Sequence, residues 1–285
     1  MAAAVIDSIA RIRARGAEAR RKGDRIGFVP TMGALHAGHL RLIEVARAAC
    51  DLVIVSIFVN PLQFDRPDDL QKYPRRLEAD VALCSASGVD VVFAPSVEEM
   101  YPRPMENVIE VGRVAEHLCG RFRPGHFRGV ATVVMKLLQI TQPDRAYFGE
   151  KDAQQLAVIR RMVVDFNVPV IIVGVPTVRD ADGLALSSRN QRLNADERRA
   201  ATVLYRALDD ARARISAGTT DVATIKGAAE RLVGQQPGVT LEYFEVVDPV
   251  EMQPLTNVTG VAVIAGALWV GATRLIDNVQ ITAPA

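Results

Sequence analysis

The residues of this sequence whose types and spacing best suit chemistry lie in one stretch, Pro30 to His39, which is Pro-Thr-Met-Gly-Ala-Leu-His-Ala-Gly-His. The stretch follows an apolar run, Ile26 to Val29, which predicts a short buried strand. It precedes Leu40 to Cys50, whose apolar residues have the spacing of a helix. A turn from a parallel strand to a helix is where an open α/β sheet binds ligands, so we expect a binding site here.

The side chains of this turn suit phosphate chemistry. Gly33 and Gly38 let the backbone come close to a ligand, and free N–H groups at a helix start, with the helix dipole behind them, favour phosphate. His36 and His39 are three residues apart and share one face if the helix has begun. Two imidazoles beside a phosphate predict nucleotide chemistry in which negative charge develops on phosphorus.

Two other interpretations of this turn have to be weighed. A strand-to-helix turn can contain histidine for structural reasons alone, although two of the chain's four histidines lie in this one. A His-x-x-His pair can also bind zinc, but it supplies only two ligands. No Cys or His cluster elsewhere in the sequence completes a tetrahedral set.

Two further segments that follow predicted strands carry residue types that a phosphoryl or nucleotidyl site needs. Asn60 to Phe64 comes after the apolar run Leu52 to Val59, and Gln63 there can hydrogen-bond a small polar substrate. Phe148 to Gln155 is a second strand-to-helix turn, with a lysine for phosphate and a carboxylate for Mg²⁺ or ribose. Asp152 can equally serve as an ordinary helix N-cap.

Two polar segments add positive charge. Arg121 to Val130 contains three arginines and a histidine in what we predict to be a glycine-containing loop, and alone it could be a basic surface loop. Leu186 to Asn190 places an arginine and two serines in a polar loop, which suits contacts to phosphate oxygens. The sequence has no Gly-x-Gly-x-x-Gly after a strand and no Gly-x-x-x-x-Gly-Lys-Ser/Thr. A dinucleotide oxidoreductase and a P-loop kinase therefore lose their main support.

The elements that must position these segments alternate between strand and helix. We predict helices at Val5–Gly23, Leu40–Cys50, Leu77–Ser87, Val130–Ile140 and Ala153–Phe166. We predict strands at Ile26–Val29, Leu52–Val59, Val89–Ala94, Val108–Val111, Ala146–Gly149 and Val168–Val175. This alternation predicts an α/β fold with a doubly wound parallel sheet.

The pattern changes after Thr177. We predict helices at Ala195–Gly218 and Val222–Gly234 and strands of an antiparallel or mixed sheet at Val239–Val247 and Gly260–Val270. With 285 residues, two domains are the natural expectation. The sequence therefore predicts a larger domain at residues 1–177 and a second, smaller α+β domain at residues 178–285.

Composition narrows the class of protein further. A net charge of +1 gives no general electrostatic case for nucleic acid or an anionic membrane. Cys50, Cys84 and Cys119 are widely spaced and form no Cys-x-x-Cys, which is typical of free thiols in a reducing compartment. The sequence shows no signal-peptide pattern and no apolar run of membrane-spanning length, so we expect a cytoplasmic protein.

The five segments occur in chain order, and in them the sequence resembles the pantothenate synthetases, or pantoate–β-alanine ligases. The resemblance covers about residue 5 to about residue 280, departs at no motif position and is looser after residue 195. It implies a Rossmann-like ATP-binding domain, similar to those of class I aminoacyl-tRNA synthetases and cytidylyltransferases, with a His-x-Gly-His turn. It also implies a reaction in which the carboxylate of pantoate attacks the α-phosphorus of ATP. Pantoyl adenylate and pyrophosphate form, and the amine of β-alanine then displaces AMP.

The resemblance also implies roles for individual residues. His39 is the position that the family treats as proton donor, and Gln63 and Gln155 would bind pantoate from opposite sides. Met32 would lie between the ligands, and Arg123 would act on the phosphate or pantoate side. The further catalytic residues implied are His36, Lys151, Ser187, Ser188 and Arg189. The residues implied to bind ATP are Pro30, Met32, Gly33, His36, His39, Gly149, Lys151, Asp152, Val178, Leu186, Ser187, Ser188 and Arg189.

ATP chemistry implies Mg²⁺, whose protein ligand the sequence does not identify. Asp80 and Asp68 could serve, although we expect them to cap surface helices. The family is typically homodimeric, which predicts a homodimer here. Because an acyl adenylate must be kept from water, we expect the loop that carries Ser187 to Arg189 to close over ATP and residues 64–75 to help cover pantoate.

Two rival functions share parts of this pattern. A related nucleotidyltransferase that joins a nucleotide to a phosphorylated alcohol would have the His-x-Gly-His turn but would not need both Gln63 and Gln155. A catalytically silent ATP-binding or regulatory protein would share the fold. The intact set of histidines, Lys151, Ser187 and Arg189 argues against a silent protein.

Overall fold

A computed structural model describes residues 2–284 of the chain as two compact units. Unit 1 consists of Met1–Val111, Arg123–Glu150 and Val158–Pro176. Unit 2 consists of Gly112–Phe122, Lys151–Ala157 and Thr177–Ala285. Each unit is therefore assembled from three separate stretches of the chain.

The helices and strands follow one another along both units. The strands are β1 (Ala4–Ile6), β2 (Ile26–Thr31), β3 (Leu52–Ile57), β4 (Val91–Phe93), β5 (Arg145–Gly149), β6 (Ile171–Val175), β7 (Val239–Val247), β8 (Val261–Val270) and β9 (Thr273–Thr282). The helices are α1 (Ile9–Lys22), α2 (Ala37–Ala49), α3 (Pro67–Gln71), α4 (Leu77–Ala86), α5 (Val97–Met100), α6 (Leu118–Phe122), α7 (His126–Thr141), α8 (Ala153–Asp165), α9 (Ala195–Ala201), α10 (Val203–Ser216) and α11 (Val222–Gly234). Short 3₁₀ turns lie at Pro61–Gln63, Arg113–Ala115, Glu150–Asp152 and Ser188–Arg192.

Unit 1 is built on a six-stranded sheet in the order β1-β4-β3-β2-β5-β6. All of its strand pairs are parallel, which confirms the predicted doubly wound sheet. Residues Leu52 to Ser56 of β3 are all buried, as expected of a strand that is covered on both faces. The strand order changes direction between β2 and β5, and ligands bind at such a switch point in open α/β sheets.

The register of β2 and β3 brings two predicted site segments to one edge of the sheet. Pro30 pairs with Ser56, and Thr31 pairs with Ile57. The chain therefore leaves β2 toward His36 and leaves β3 toward Gln63 at the same edge of the sheet. The hydroxyl of Thr31 fixes this edge by donating to the carbonyl oxygen of Ser56 at 2.7 Å.

Three predictions about the first 130 residues are wrong in informative ways. The first helix begins at Ile9 rather than Val5, because the chain before it forms β1, which pairs with β4. Val108–Val111 is not a strand: the N–H of Ile109 donates to the hydroxyl of Thr132 at 3.0 Å instead of to a neighbouring strand. The predicted loop Arg121–Val130 is mostly helical, because α6 ends at Phe122 and α7 begins at His126.

Unit 2 contains a three-stranded antiparallel sheet in the order β7-β8-β9. The predicted bounds of α11 and β7 are confirmed, and the predicted helix over Ala195–Gly218 is divided into α9 and α10 at Thr202. The helices cover the sheet with a core that includes Leu204, Leu208 and Ile264. Strand β9 has no counterpart among the predicted elements.

All three cysteines are buried free thiols, which confirms that part of the prediction. Burial, with a smaller contribution from the charge of Asp80, raises the pKa of the Cys84 thiol to about 12, so this thiol stays protonated near neutral pH. Over residues 2–284, no helix combines the length and the apolar character that crossing a bilayer requires.

Replacing Gly129 of α7 by alanine should lower the free energy of unfolding by about 2–3 kcal/mol. A Cβ at this position would lie 2.1 Å from the carbonyl oxygen of Leu62, so the turn that carries Gln63 must move. Urea unfolding followed by circular dichroism measures the change. Gly234→Ala is the control, because a Cβ there meets nothing within 4 Å. An equal loss in both variants would contradict this packing.

Candidate active site

The turn after β2 has a backbone that favours small residues. Gly33 has a φ of +84° and Ala34 a φ of +53°, both in the left-handed region. The N–H of Gly33 donates to the hydroxyl of Thr31 at 3.1 Å. A Cβ on Gly33 would lie 2.9 Å from an oxygen of Asp80, so this position also needs glycine for space. The sequence indicated the glycine but not the carboxylate it faces.

His36 and His39 cap the helix that follows. His36 is the N-cap of α2, and its Nδ1 accepts the N–H of Gly38 at 3.2 Å. The Nδ1 of His39 accepts the N–H of His36 at 3.3 Å, which completes a capping box made of two imidazoles. The ring centroids are 4.2 Å apart. The structure therefore places the two histidines together, as predicted.

This capping box fixes the tautomer of both rings. Because each Nδ1 accepts an N–H, the ring proton of the neutral side chain must be on Nε2. We expected the N–H groups at this helix start to be free for phosphate. That expectation is wrong for Gly38 and for His36, whose N–H groups already bind the rings. The turn thus presents imidazole N–H groups where a phosphate loop presents backbone N–H groups.

Asp80 supports the turn through its backbone. Its Oδ2 accepts the N–H of Ala34 and its Oδ1 accepts the N–H of Leu35, both at 2.8 Å. Asp80 lies in the first turn of α4 and is only 2% exposed. The prediction that it caps a surface helix is therefore wrong. Its sequence separation from the turn, 45 and 46 residues, explains why no local pattern revealed the contact.

Gln63 lies in a buried amide network at the same edge of the sheet. Its Oε1 accepts from Nδ2 of Asn60 at 3.0 Å, and its Nε2 donates to Sδ of Met32 at 3.1 Å. Asn60 also donates to the carbonyl oxygen of Gly129 at 3.2 Å. The oxygen of Asn60 accepts from the N–H of Leu62 and from the hydroxyl of Tyr101. These partners leave Gln63 with one orientation, in which its amide N–H groups point toward Met32.

The side chain of Arg123 binds the segment that contains Gln63. Its guanidinium donates to Oδ1 of Asp65 at 2.9 Å and to the carbonyl oxygen of Gln63 at 3.3 Å. It also contacts Nε2 of His126 at 3.1 Å, while Nδ1 of His126 donates to the carbonyl oxygen of Gln63 at 2.8 Å. Burial alone would raise the pKa of Asp65, but the charge and hydrogen bonds of Arg123 outweigh it and lower that pKa.

The remaining predicted ATP residues divide between the end of β5 and unit 2. Gly149 is the last residue of β5, in unit 1. Lys151 and Asp152 lie in the 3₁₀ turn before α8, where the carbonyl oxygen of Lys151 accepts from Nδ2 of Asn278 at 2.8 Å. Gln155 lies in the first turn of α8. The neighbouring Gln154 is buried and donates to the carbonyl oxygens of the Gly112–Phe122 stretch.

The segment from Val178 to Arg189 is more ordered than the predicted polar loop. The carbonyl oxygen of Val178 accepts the N–H of Leu186 at 3.0 Å. Ser187 caps the 3₁₀ turn that begins at Ser188, and its hydroxyl accepts the N–H of Arg189 at 3.2 Å. Local hydrogen bonds thus hold Leu186 to Arg189 together in a short turn.

One buried ion pair anchors this segment to the sheet of unit 2. Arg179 forms a bidentate pair with Asp277 of β9, with a second bond of 2.9 Å, and stacks on the ring of Tyr205 at 4.4 Å. Asp277 is 5% exposed. No sequence pattern pointed to this pair, because β9 itself was not predicted.

Among residues 2–284, no group of three or more His, Cys, Asp or Glu side chains is arranged so that it could hold a metal ion. Both oxygens of Asp80 are occupied by backbone N–H groups. Asp68 is exposed and pairs with Arg66 at 2.9 Å.

Sequence comparisons relate the chain to one family. A family model described as pantoate-beta-alanine ligase matches residues 4–280. The pantothenate synthetase of Heliobacterium modesticaldum is 53% identical over 277 residues, which cover 97% of this chain and 99% of that protein. The bifunctional pantoate ligase/cytidylate kinase of Thermosynechococcus vestitus is 57% identical over 256 residues, which cover 89% of this chain. The chain spans about half the length (50%) of that bifunctional relative.

Solved structures give the same result. Pantothenate synthetase from Thermus thermophilus superposes with a TM-score of 0.91 at 46% identity, covering 97% of this chain and 98% of that one. Pantoate-beta-alanine ligase from Francisella tularensis, complexed with beta-gamma ATP and β-alanine, superposes with a TM-score of 0.81 at 39% identity. That match covers 98% of this chain and 97% of the other.

The pair formed by Asp65 and Arg123 predicts a pH-dependent stability. Because the folded-state pKa of Asp65 is below its ordinary value of 3.8, its contribution is complete above pH 3.8 and is lost as the pH falls through the lower folded value. Asp65→Asn should therefore lower the free energy of unfolding by about 1 kcal/mol at pH 7, because solvent screens this partly exposed pair. The difference from the parent should shrink below pH 3.8.

Urea unfolding at a series of pH values measures this effect. Asp68→Asn is the control, since Asp68 lies three residues further along the chain, in the first turn of α3, and forms a solvent-exposed pair with Arg66. It should change stability by less than about 0.5 kcal/mol. A constant difference between Asp65→Asn and the parent from pH 7 to pH 3 would rule out the assigned role of the ion pair.

Proposed function

The chain belongs to the pantoate-β-alanine ligase family, and from this membership we propose that it condenses pantoate with β-alanine to pantothenate in an ATP-dependent reaction. Pantoate first attacks the α-phosphorus of ATP and forms pantoyl adenylate with release of pyrophosphate. The amine of β-alanine then attacks the acyl carbon and expels AMP. A carboxylate acylates an amine poorly until its oxygen becomes part of a good leaving group, and adenylation provides one.

The observation that carries this proposal is the pair of imidazoles at the switch point of the parallel sheet. The barrier to adenylation is mostly the negative charge that develops on phosphorus and on the departing pyrophosphate. Preorganised donors lower such a barrier, because they need no reorganisation when the charge appears. His36 and His39 meet this requirement, since the backbone N–H groups hold each ring with its proton on Nε2. His39 would donate to the phosphates and act as the proton donor.

The other phosphate and nucleoside contacts would come from Phe148 to Gln155 and from the segment Val178 to Arg189. Lys151, Ser187, Ser188 and Arg189 would hold the β- and γ-phosphates. Gly149 and Asp152 would bind the ribose, and the backbone of Val178 the adenine. The support for the serine–arginine group is its local order: Ser187 caps the turn that presents Ser188 and Arg189.

Gln63 and Gln155 would bind pantoate, with Met32 beside them. The orientation of Gln63 supports an acceptor on the substrate, because its oxygen is engaged by Asn60 and its Nε2 is directed toward Met32. A carboxylate or hydroxyl oxygen of pantoate satisfies that donor. The direct contact predicted for Arg123 stays a prediction. Its bonds to Asp65 and to Gln63 support a second role, which is to hold the loop of Gln63 in place.

Five finer assignments stay proposals. Mg²⁺ would enter on the phosphates of ATP. A homodimer rests on the resemblance alone. A cytoplasmic location rests on the composition of the sequence, and the division between residues 1–177 and 178–285 rests on the change of pattern after Thr177. The proposed closure of the loop that carries Ser187 to Arg189 rests on the need to keep an acyl adenylate from water.

Exchange of labelled pyrophosphate into ATP tests the function most directly. We expect exchange that depends on pantoate and proceeds without β-alanine, because the adenylate forms before the amine arrives. Pantothenate formation without any exchange would replace the two-step route by a concerted one. Exchange with a phosphorylated alcohol instead of pantoate would favour a related nucleotidyltransferase. ATP binding with no turnover would favour a silent binding protein.

Substitutions of His39 separate its two roles. His39→Ala should lower the adenylation rate by roughly 10²- to 10⁴-fold and should also lower the free energy of unfolding by about 1 kcal/mol, because the N–H of His36 loses its acceptor. His39→Asn keeps an acceptor near the position of Nδ1 but removes the Nε2 donor. It should retain stability and lose the same activity.

Pyrophosphate exchange and urea unfolding on both variants provide the readouts. Near-normal exchange in His39→Asn would remove the Nε2 donor from the mechanism. Equal losses of stability in the two variants would contradict the capping role.

A further inference from the structure

We propose that Asp80 is a positioning residue for the candidate active site. Its carboxylate, through the N–H groups of Ala34 and Leu35, sets the place of the two-histidine capping box. The kinetic consequence of this inference rests on the proposed function, whereas the ring geometry can be measured without substrates.

The first step of the argument is that this turn needs an external support. Gly33 and Ala34 both have positive φ values, and Ala34 is an L residue in a region that alanine rarely adopts. Two consecutive N–H groups in such a turn point to one side and form a small concave donor site. Both N–H groups donate to the carboxylate of Asp80, and residues 2–284 provide no other acceptor for them.

The second step is that Asp80 is suited to be that acceptor. It is 2% exposed, and within residues 2–284 both of its hydrogen bonds come from N–H groups of the turn rather than from a cation. It lies in the first turn of α4, where the helix dipole stabilises a negative charge. Such a buried carboxylate costs free energy to desolvate, so its presence at this place favours a role beyond packing.

The third step connects Asp80 to the rings. Leu35, which Asp80 holds at 2.8 Å, directly precedes His36. His36 is the N-cap whose N–H binds Nδ1 of His39, so a shift of Leu35 moves both imidazoles together. A misplacement of a catalytic group by about 1 Å can slow a reaction roughly 100-fold. The carboxylate of Asp80 can therefore affect the reaction rate through the imidazoles without contacting a substrate.

Asp80→Asn tests this inference with almost no change in volume. The amide replaces one acceptor by an NH₂ group, which opposes the N–H of Ala34 or Leu35. We expect pantoate-dependent pyrophosphate exchange to fall roughly 10- to 100-fold in kcat, with a KM for ATP within about threefold of the parent. We also expect the ¹⁵N signals of the His36 and His39 rings to move away from the Nε2–H pattern in the variant without substrates.

Asp144→Asn is the matched control. Asp144 accepts the N–H of Ile26 at 2.7 Å, so its carboxylate serves the same strand as the histidine turn but at the opposite end. It should change neither the exchange rate nor the histidine signals. If Asp80→Asn does not fold, Asp80→Ser replaces it, because the shorter side chain leaves room for a water molecule that can accept from one of the two N–H groups.

The possible results of these experiments lead to different conclusions. Exchange in Asp80→Asn within twofold of Asp144→Asn would overturn the inference. A loss of exchange with unchanged histidine signals would also overturn it, because the effect would then not pass through the rings. If the parent shows no exchange at all, the proposed function fails, and the histidine signals alone decide the role of Asp80.

Discussion

The need to satisfy the N–H groups of one backbone turn governs the site. After β2 the chain bends through two left-handed residues and enters α2, and this bend leaves a row of donors without the partners that a strand or helix would supply. Asp80 takes two of them and the two histidine rings take two more. The chemistry of the rings follows from this constraint, because an imidazole that accepts at Nδ1 must carry its proton at Nε2.

A second set of fixed donors and acceptors lies at the end of β3. The N–H of Leu62 and the carbonyl oxygen of Gly129 are backbone groups whose polarity cannot change, and they fix both ends of the amide of Asn60. Asn60 in turn fixes the amide of Gln63. The backbone groups thus set the orientation of Asn60, and Asn60 determines that Nε2 of Gln63 is the atom directed toward Met32. Burial raises the pKa of Tyr101, so its hydroxyl remains a donor to Asn60.

The sequence predicted the parallel sheet, the pairing of the two histidines and the place of Gln63, because these follow from apolar runs and from turns at strand ends. It missed β9, whose apolar residues alternate with Arg274 and the buried Asp277 and so lack the continuous apolar run of β8. It placed a strand at Val108–Val111, where three β-branched residues find no neighbouring strand. Asp80 was misjudged because its partners lie 45 and 46 residues away. Local patterns predict elements, whereas contacts of that range depend on the finished fold.

The division of each unit into three stretches has a consequence for the order of synthesis. The first part of unit 2, Gly112–Phe122, leaves the ribosome long before β9, yet Cys119 and the hydroxyl of Tyr243 on β7 lie 3.3 Å apart. Unit 2 therefore cannot complete its fold during synthesis until the strands that its early stretch contacts have been made. The small sheet and the segment anchored by Arg179 and Asp277 therefore become stable only after β9 has been synthesised.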